Sequence, residues 1–315
     1  MDNINWNAVY GFWLVSEYGS FARAARALPC GTVQALHRRV RTLEKKENLN
    51  LRLLRSRGVK GVELTEAGRR LFELLSPVYR DFGRVAAELR GEDTGSLHIA
   101  ATAFASNHYV GDIISRFSPQ FPKVSIHFYL REPVDNIIDL VQSGRVDFGI
   151  CAPTTSLADC ELKASIPLRF KLFLPRGHRL CNGVASWREL LREPVILPEQ
   201  ELILRKAFDD LMERENLSNY VQLRAELTTC EVALDAVRAG LGIALAAMGP
   251  RVFAALRRVV PVDPPPGLPK LSLALLCKKD RHLSRYMQRF IDTTAEVFRR
   301  SENAGLHRTQ VRSKG

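Results

Sequence analysis

The chain has no run of apolar residues long enough to span a bilayer and no secretory leader at its amino terminus, so no membrane role is expected and a cytoplasmic location is. It lacks any Cys-x-x-Cys pair. Its six cysteines, Cys30, Cys151, Cys160, Cys181, Cys230 and Cys277, are scattered, which argues against a zinc or dithiol framework and for free thiols in a reducing compartment. Cys151 and Cys160, nine residues apart, leave a redox switch open against the commoner reading of inert buried thiols. There is no Gly-x-Ser-x-Gly elbow, no glycine-rich phosphate loop with lysine, no His-Glu-x-x-His and no dinucleotide fingerprint. His98, His108, His127, His178 and His282 have no partners at readable spacing. No metal or cofactor is expected, and an enzyme is the weakest reading.

What the chain does have is positive charge, unevenly placed. The formal net charge is +12. Residues 1–91 carry 16 Lys/Arg against 9 Asp/Glu, a balance of +7, and from Glu296 onward five Lys/Arg face two Glu, another +3. The long middle is nearly neutral. A basic front end on a neutral body suggests a polyanion partner for the front end alone. At 315 residues, 46% of them hydrophobic, the length suits two or three domains with proper cores.

Residues 19–44 sharpen that reading. Phe21, Ala22, Ala25 and Leu28 recur at helical spacing. After a Pro29-Cys30-Gly31 break, a second helix carries Val33, Leu36, Val40 and Leu43 as its apolar stripe. Ser20 and Thr32 stand where N-cap hydroxyls would satisfy the first free amides. Between the apolar positions of the second helix lie Gln34, His37, Arg38, Arg39 and Arg41. The pattern predicts a helix-turn-helix whose second helix enters a major groove. A helix over Trp6–Tyr18 completes a three-helix core, and 51–64, with turns at Gly58 and Gly61, reads as a two-stranded wing. Thr65 caps a further helix running to about Arg90. Its apolar positions Leu71, Leu75, Val78, Phe82, Val85 and Leu89 step by fours and threes, as in a coiled-coil seam. Such a helix serves most economically as a dimer arm, the alternative being that the stripe docks on its own domain; Pro77 should kink it.

Beyond a polar hinge at 91–95, short apolar runs alternate with helical patterns. Strands are expected over 97–101, 124–130, 146–151, 170–174, 195–197, 221–227, 242–247 and 271–277, and helices over 109–117, 135–143, 203–215, 230–239, 249–256 and 282–298. Such alternation implies α/β sheets with crossover helices. Crossings near 166–170 and 268–271 suggest two lobes with a cleft between them, a common place for a small molecule. The domain layout is therefore a winged helix-turn-helix over 1–64, a linker helix over 65–91 and a two-lobed body over 95–300. Lobe I takes about 95–167 and 268–300, lobe II about 168–267. A basic tail over 301–315 is expected to be disordered.

Several segments, in order, resemble the LysR-type transcriptional regulators of bacteria. They are Gly19-Ser20-Phe21 with Ala24-Ala25 and Leu28; Ala35-Leu36 with Arg38, Val40 and Leu43-Glu44; and Leu64-Thr65-Glu66-Ala67-Gly68. Further on come Phe121-Pro122-Lys123-Val124, 144–150 (Gly-Arg-Val-Asp-Phe-Gly-Ile) and 239–244 (Ala-Gly-Leu-Gly-Ile-Ala). The likeness covers nearly the whole chain. It implies a winged helix-turn-helix, a linker-helix dimer and a two-lobed effector domain like a periplasmic binding protein. Members are usually dimers of dimers on inverted-repeat promoter DNA, switched by a metabolite, with RNA polymerase as a further candidate partner. Three departures leave the DNA sequence open: a turn one residue longer at 29–31, Thr32-Val33-Gln34 and His37 in place of the usual residues, and an extra residue within 45–49.

For DNA, Thr32, Gln34, His37 and Arg38 are expected to face base edges or adjacent phosphates, since Gln suits adenine and Arg suits guanine. Val33 stands between a thymine methyl and the core. Arg39, Arg41, Arg52, Arg55, Arg57 and Lys60 are expected on phosphates, the bland alternative being solvated surface. For the effector, Thr102, Ser106, Thr154, Thr155, Thr228 and Thr229 follow strands or precede helices, where ligands bind in open α/β sheets; the bland alternative is capping. The resemblance adds Phe104, Arg131 and Pro198 as cleft walls, and the effector is expected to be polar or anionic. Two other functions stay open: an effector-independent architectural or repressive DNA binder and, less favoured, an enzyme on the α/β body.

Overall fold

The computed structural model describes residues 4–28, 31–45, 48–56, 61–154, 157, 159–252, 256 and 258–312, with the side chains of Ser56 and 304–312 left out. The chain forms two compact units, Met1–Val85 and Ala86–Gly315.

The first unit is built from α1 (Trp6–Tyr18), α2 (Phe21–Arg26), α3 (Val33–Glu44), the antiparallel pair β1 (Leu54–Ser56) and β2 (Val62–Leu64), and α4 (Glu66–Leu89). Phe12, Val15, Ala24, Leu36, Leu43 and Leu53 form its buried centre. Thr32 caps α3, accepting the Ala35 N–H at 3.2 Å. Ser20 does not act as its hydroxyl suggested: α2 begins instead on the Ser20 carbonyl, which takes the Ala24 N–H at 2.9 Å. The wing is tied to α3 by Glu44, whose carboxylate accepts the N–H groups of Leu53 at 2.7 Å and Leu54 at 3.1 Å. Thr65 then starts α4, capping the Gly68 N–H at 3.1 Å and donating to the Arg52 carbonyl at 2.7 Å. Position 68 must be glycine because a Cβ there would overlap the Leu53 carbonyl oxygen.

Helix α4 is continuous through Pro77. Its stripe is split in a way the spacing did not foresee. Leu71 and Leu75, read as part of the dimer seam, pack with Phe72 and Tyr79 against the first unit's own core. The reason lies on α1, where Tyr10 and Trp13 need cover. Tyr79 stacks on Trp13 at 4.9 Å, the Trp13 indole donates to Ser76 at 3.3 Å, and Arg80 pairs with Glu17 at 3.0 Å. The rest of the expected seam, Val78, Phe82, Val85 and Leu89, is exposed together with Leu74.

The second unit carries two five-stranded sheets. Lobe I holds β3 (Gly95–Ala101), α5 (Ala103–Ala105), a π-helical turn (Ser106–Val110), α6 (Gly111–Phe117), β4 (Val124–Leu130), α7 (Val134–Gln142), β5 (Phe148–Cys151) and β6 (Cys160–Pro167). The chain then crosses to lobe II: β7 (Phe170–Pro175), α8 (Trp187–Leu190), β8 (Val195–Pro198), α9 (Ile203–Arg214), β9 (Leu223–Leu227), α10 (Cys230–Arg238), β10 (Ile243–Ala247) and β11 (Val259–Val262). It returns through β12 (Ser272–Lys278) and α11 (Arg285–Arg312). The sheet orders are β4-β3-β5-β12-β6 and β11-β7-β10-β8-β9. At the crossing the two connecting segments are hydrogen-bonded, Leu168 N–H to Leu271 carbonyl at 2.8 Å.

Three expectations are corrected. Strands β6 and β11 were not anticipated; both lie at sheet edges, where charged residues and a proline, Pro261, are tolerated and the apolar signal is weak. No α-helix forms over the described part of 249–256, because the segment leaves β10 as a loop through Gly249 and Pro250; 253–255 lie outside the described residues. The tail expected to be disordered from Ser301 continues α11 as far as Arg312, no proline following Pro269 to stop it.

Candidate functional site

The first candidate surface is the outward face of α3. Leu36, Val40 and Leu43 are buried, and Thr32, Val33, Gln34, His37, Arg38 and Arg41 are exposed. Positions 34, 38 and 41 fall at i, i+4 and i+7, so they share one face. Val33, assigned to the apolar stripe, is 36% exposed, which takes it out of the core and leaves a methyl-bearing side chain beside Gln34. The His37 ring stacks on Phe21 with centroids 3.6 Å apart, so α2 fixes its orientation. Arg39 is turned away from the group: half-buried, it lays its stem over Gly11 of α1. Arg52 and Arg55 are exposed in and before β1. Arg57 and Lys60 lie outside the described residues. Arg23 and Arg26, exposed on α2, escaped sequence reasoning because their helix was read only as a support.

The second candidate is a cavity of about 110 Å³ between the two sheets of the second unit. Of the proposed effector residues it brings together Thr102, Phe104, Pro198, Thr228 and Thr229. Ser106 is not among its lining residues, and Thr154 lines a separate depression beside α9. Arg131 turns outward, donating to the Leu130 carbonyl at 2.7 Å and lying over the Tyr129 ring. Thr155 lies outside the described residues. The hydroxyls do act as caps: Thr102 accepts the Ala105 N–H at 3.4 Å and Thr229 the Val232 N–H at 3.5 Å. Thr228 donates to Glu199 at 2.5 Å. Capping and cavity-lining therefore coincide at Thr102 and Thr229.

The walls are mainly apolar, among them Val134, Leu168, Phe170, Leu197, Leu202 and Leu245. The polar groups that sequence reasoning missed are Asn107, His108, Glu132 and Glu231. His108 is 1% exposed and sits in the π-helical turn, a bulge geometry often found at functional sites. Its Nε2 lies 3.7 Å from a Glu231 oxygen on lobe II, and its Nδ1 is buried with no hydrogen-bond partner. Burial holds its pKa below the ordinary imidazole value; Glu231 opposes that shift and Arg251 adds to it. Burial also raises the Glu132 carboxyl above the usual range, against the stabilising Ala103 N–H, which donates to it at 3.1 Å. No Lys or Arg lines the cavity among the described residues, so the expected anionic effector meets no countercharge there. The nearest buried cation, Arg205, is committed behind the wall to the Pro198 carbonyl, Asp209 and Glu226.

The thiols do not suggest a switch. Cys151, Cys160, Cys230 and Cys277 are buried and free. Burial pushes Cys151 and Cys230 up to about 12, so the reactive thiolate is scarce at neutral pH. Among the described residues no His/Cys/Asp/Glu group could hold a metal ion, and no helix is long and apolar enough to cross a membrane.

Comparison with known proteins matches both parts of the chain. Residues 6–69 match the family model of bacterial regulatory helix-turn-helix proteins of the lysR family, and residues 90–299 match the LysR substrate binding domain. The chain is 26% identical over 243 residues to the uncharacterized HTH-type transcriptional regulator YfeR of Shigella flexneri, covering 74% of this chain and 75% of that one. The crystal structure of HinK, a LysR family regulator from Pseudomonas aeruginosa, superposes with TM-score 0.56 at 23% identity, covering 94% of this chain and 99% of that one. The effector binding domain of QuiR, solved in complex with shikimate, superposes with TM-score 0.54 at 14% identity over 66% of this chain and 98% of that one. A winged helix-turn-helix joined by one long helix to a two-lobed binding domain, matched by two models in order along the chain, places this protein in the lysR family of DNA-binding transcriptional regulators.

Proposed function

We propose that the protein is an effector-responsive regulator that reads an inverted-repeat promoter site as a dimer. Helix α3 lies in the major groove, with Gln34 and Arg38 on base edges and Arg41, Arg52 and Arg55 on phosphates. The exposed α3 face carries this reading: it groups an amide, two arginines and a methyl-bearing side chain on one helix surface, with every other apolar side of the helix buried.

Dimerisation uses the exposed stripe Leu74, Val78, Phe82, Val85 and Leu89 of α4. Half-burying five such side chains from each of two copies is worth on the order of 10 kcal/mol before the cost of association. A small molecule in the inter-lobe cavity supplies control, as shikimate occupies the effector domain of QuiR. Closing lobe I on lobe II then alters how paired bodies hold their readers.

The test is fluorescence anisotropy with the full chain and DNA flanking its coding region. A dyad-symmetric fragment should bind far more tightly than scrambled DNA, and Arg38→Ala should abolish that preference. Equal affinity for both DNAs, at every salt concentration, would refute the assignment of α3 as reader.

A further inference from the structure

The cavity carries formal charge of one sign only. Its two ionisable acids, Glu132 on lobe I and Glu231 on lobe II, stand on opposite sides, and the described lining holds no cation. Anions are ordinarily bound in such clefts by free amides at helix starts. Here an acid of the chain stands at each start. Glu132 takes the Ala103 N–H at the head of α5, and Glu231 sits in the first turn of α10. A ligand carboxylate or phosphate would meet two acids where it needs donors.

His108 is a further polar group of the lining. Its ring packs against Gly249 of lobe II, where a Cβ would overlap the imidazole. Neutral, with its one proton on the Nε2 that faces Glu231, the ring presents Nδ1 as an acceptor. That atom is buried and unpartnered, and leaving a buried polar atom unpaired is costly. The cavity thus suits positive charge on a body that fits apolar walls. Its volume sets the size: at about 110 Å³, below the roughly 150 Å³ apolar cavity that accepts benzene, it encloses a short branched chain, or one small ring with part of it in the open mouth.

Resting on the reading of this cleft as the effector site, we infer that the effector is a small amine with a hydrocarbon body. Its ammonium lies between Glu132 and Glu231. Because the two acids belong to different lobes, the ammonium replaces their mutual repulsion with a shared attraction and favours closure.

The test uses the full-length protein and three one-ring probes, benzylamine, benzyl alcohol and benzoate, in titration calorimetry and thermal shift. Benzylamine should bind and stabilise, at least roughly tenfold more tightly than benzoate, the amount expected of one charge-assisted hydrogen bond. The near-isosteric Glu132→Gln and Glu231→Gln should weaken benzylamine while sparing benzyl alcohol, with unliganded melting temperature and DNA affinity confirming the fold. Preference for benzoate, indifference of benzylamine to both Glu→Gln changes, or no binding of benzylamine at millimolar concentration would each overturn the assignment. Val134→Trp, narrowing the cavity from its half-buried edge, separates the two layers of the argument. Benzoate binding lost in this variant keeps the cleft and removes the amine; probe binding that survives it removes the cleft.

Discussion

Asp147 should be the most costly single polar position in the second unit. It directly precedes β5, within the 144–150 segment that carries the family resemblance, and it is 1% exposed. One carboxylate oxygen accepts the His98 N–H at 2.7 Å, and the other pairs with Arg281 at 2.7 Å. The same guanidinium donates to the Val146 carbonyl at 3.2 Å. Asp147 therefore joins β3, the approach to β5 and the turn after β12. Asp147→Asn is nearly isosteric, but it removes the charge opposite a buried arginine and can turn an amide N–H toward that cation. Breaking a buried pair from one side costs about 3–5 kcal/mol. For a unit of this size each kcal/mol lowers the melting temperature by about 2–4 °C, so a fall of about 10 °C is expected by scanning calorimetry. The double change Asp147→Leu with Arg281→Met should recover part of it, because an apolar pair leaves no charge uncompensated. A single variant melting within a degree or two of the parent would refute the reasoning, as would a double variant worse than the single.

Other outcomes follow from the same geometry. Phe82→Glu, at a position 74% exposed, should turn the proposed dimer monomeric in analytical ultracentrifugation without changing the melting of the first unit, whereas Leu75→Glu should unfold that unit. Arg41→Ala should weaken specific and random DNA alike and reduce the salt slope of a dimer by about 1.8, since each phosphate contact contributes about 0.9. His108 resists protonation in the folded state, so the unfolded chain binds more protons below the ordinary imidazole value near 6.5 and stability falls as pH drops through that window. Comparing His108→Gln with the parent isolates this effect from Glu132, whose raised value acts with the opposite slope, and from Glu231 and Arg251, which face the ring; the variant should lose less stability between neutral and mildly acidic pH.

The reader was legible in the sequence because its signals are local. Thr32 as a cap, Leu36, Val40 and Leu43 as one buried stripe, and Thr65 starting α4 each depend on neighbours within a few turns. Where the reading slipped, a distant partner decided. Val33 has apolar spacing but no neighbour to bury it. Leu71 and Leu75 have seam spacing, yet Tyr10 and Trp13, some sixty residues earlier, claim that side of α4. Periodicity shows that a helix has an apolar stripe; it does not tell whether the stripe meets its own domain or a second copy.

The cleft was legible only in outline for the same reason. Threonines at strand ends are visible one at a time, and Thr102 and Thr229 do line the cavity. The residues that set its chemistry come from four separated segments: Phe104 and His108 after β3, Glu132 after β4, Glu231 at the start of α10, and Gly249 after β10. Apart from Phe104 and His108, which meet edge to face, no two lie within ten residues of each other, and Glu132 and Glu231 read in sequence as ordinary surface acids beside Arg131 and Cys230. Their sign matters only once the fold faces one against the other across an apolar cavity whose described lining holds no Lys or Arg. Reading an anionic effector from helix starts alone counts the amides but not the carboxylates that stand beside them. Helix starts identify where a charged group can sit; whether the ligand or the protein supplies that group is decided by side chains from the opposite lobe.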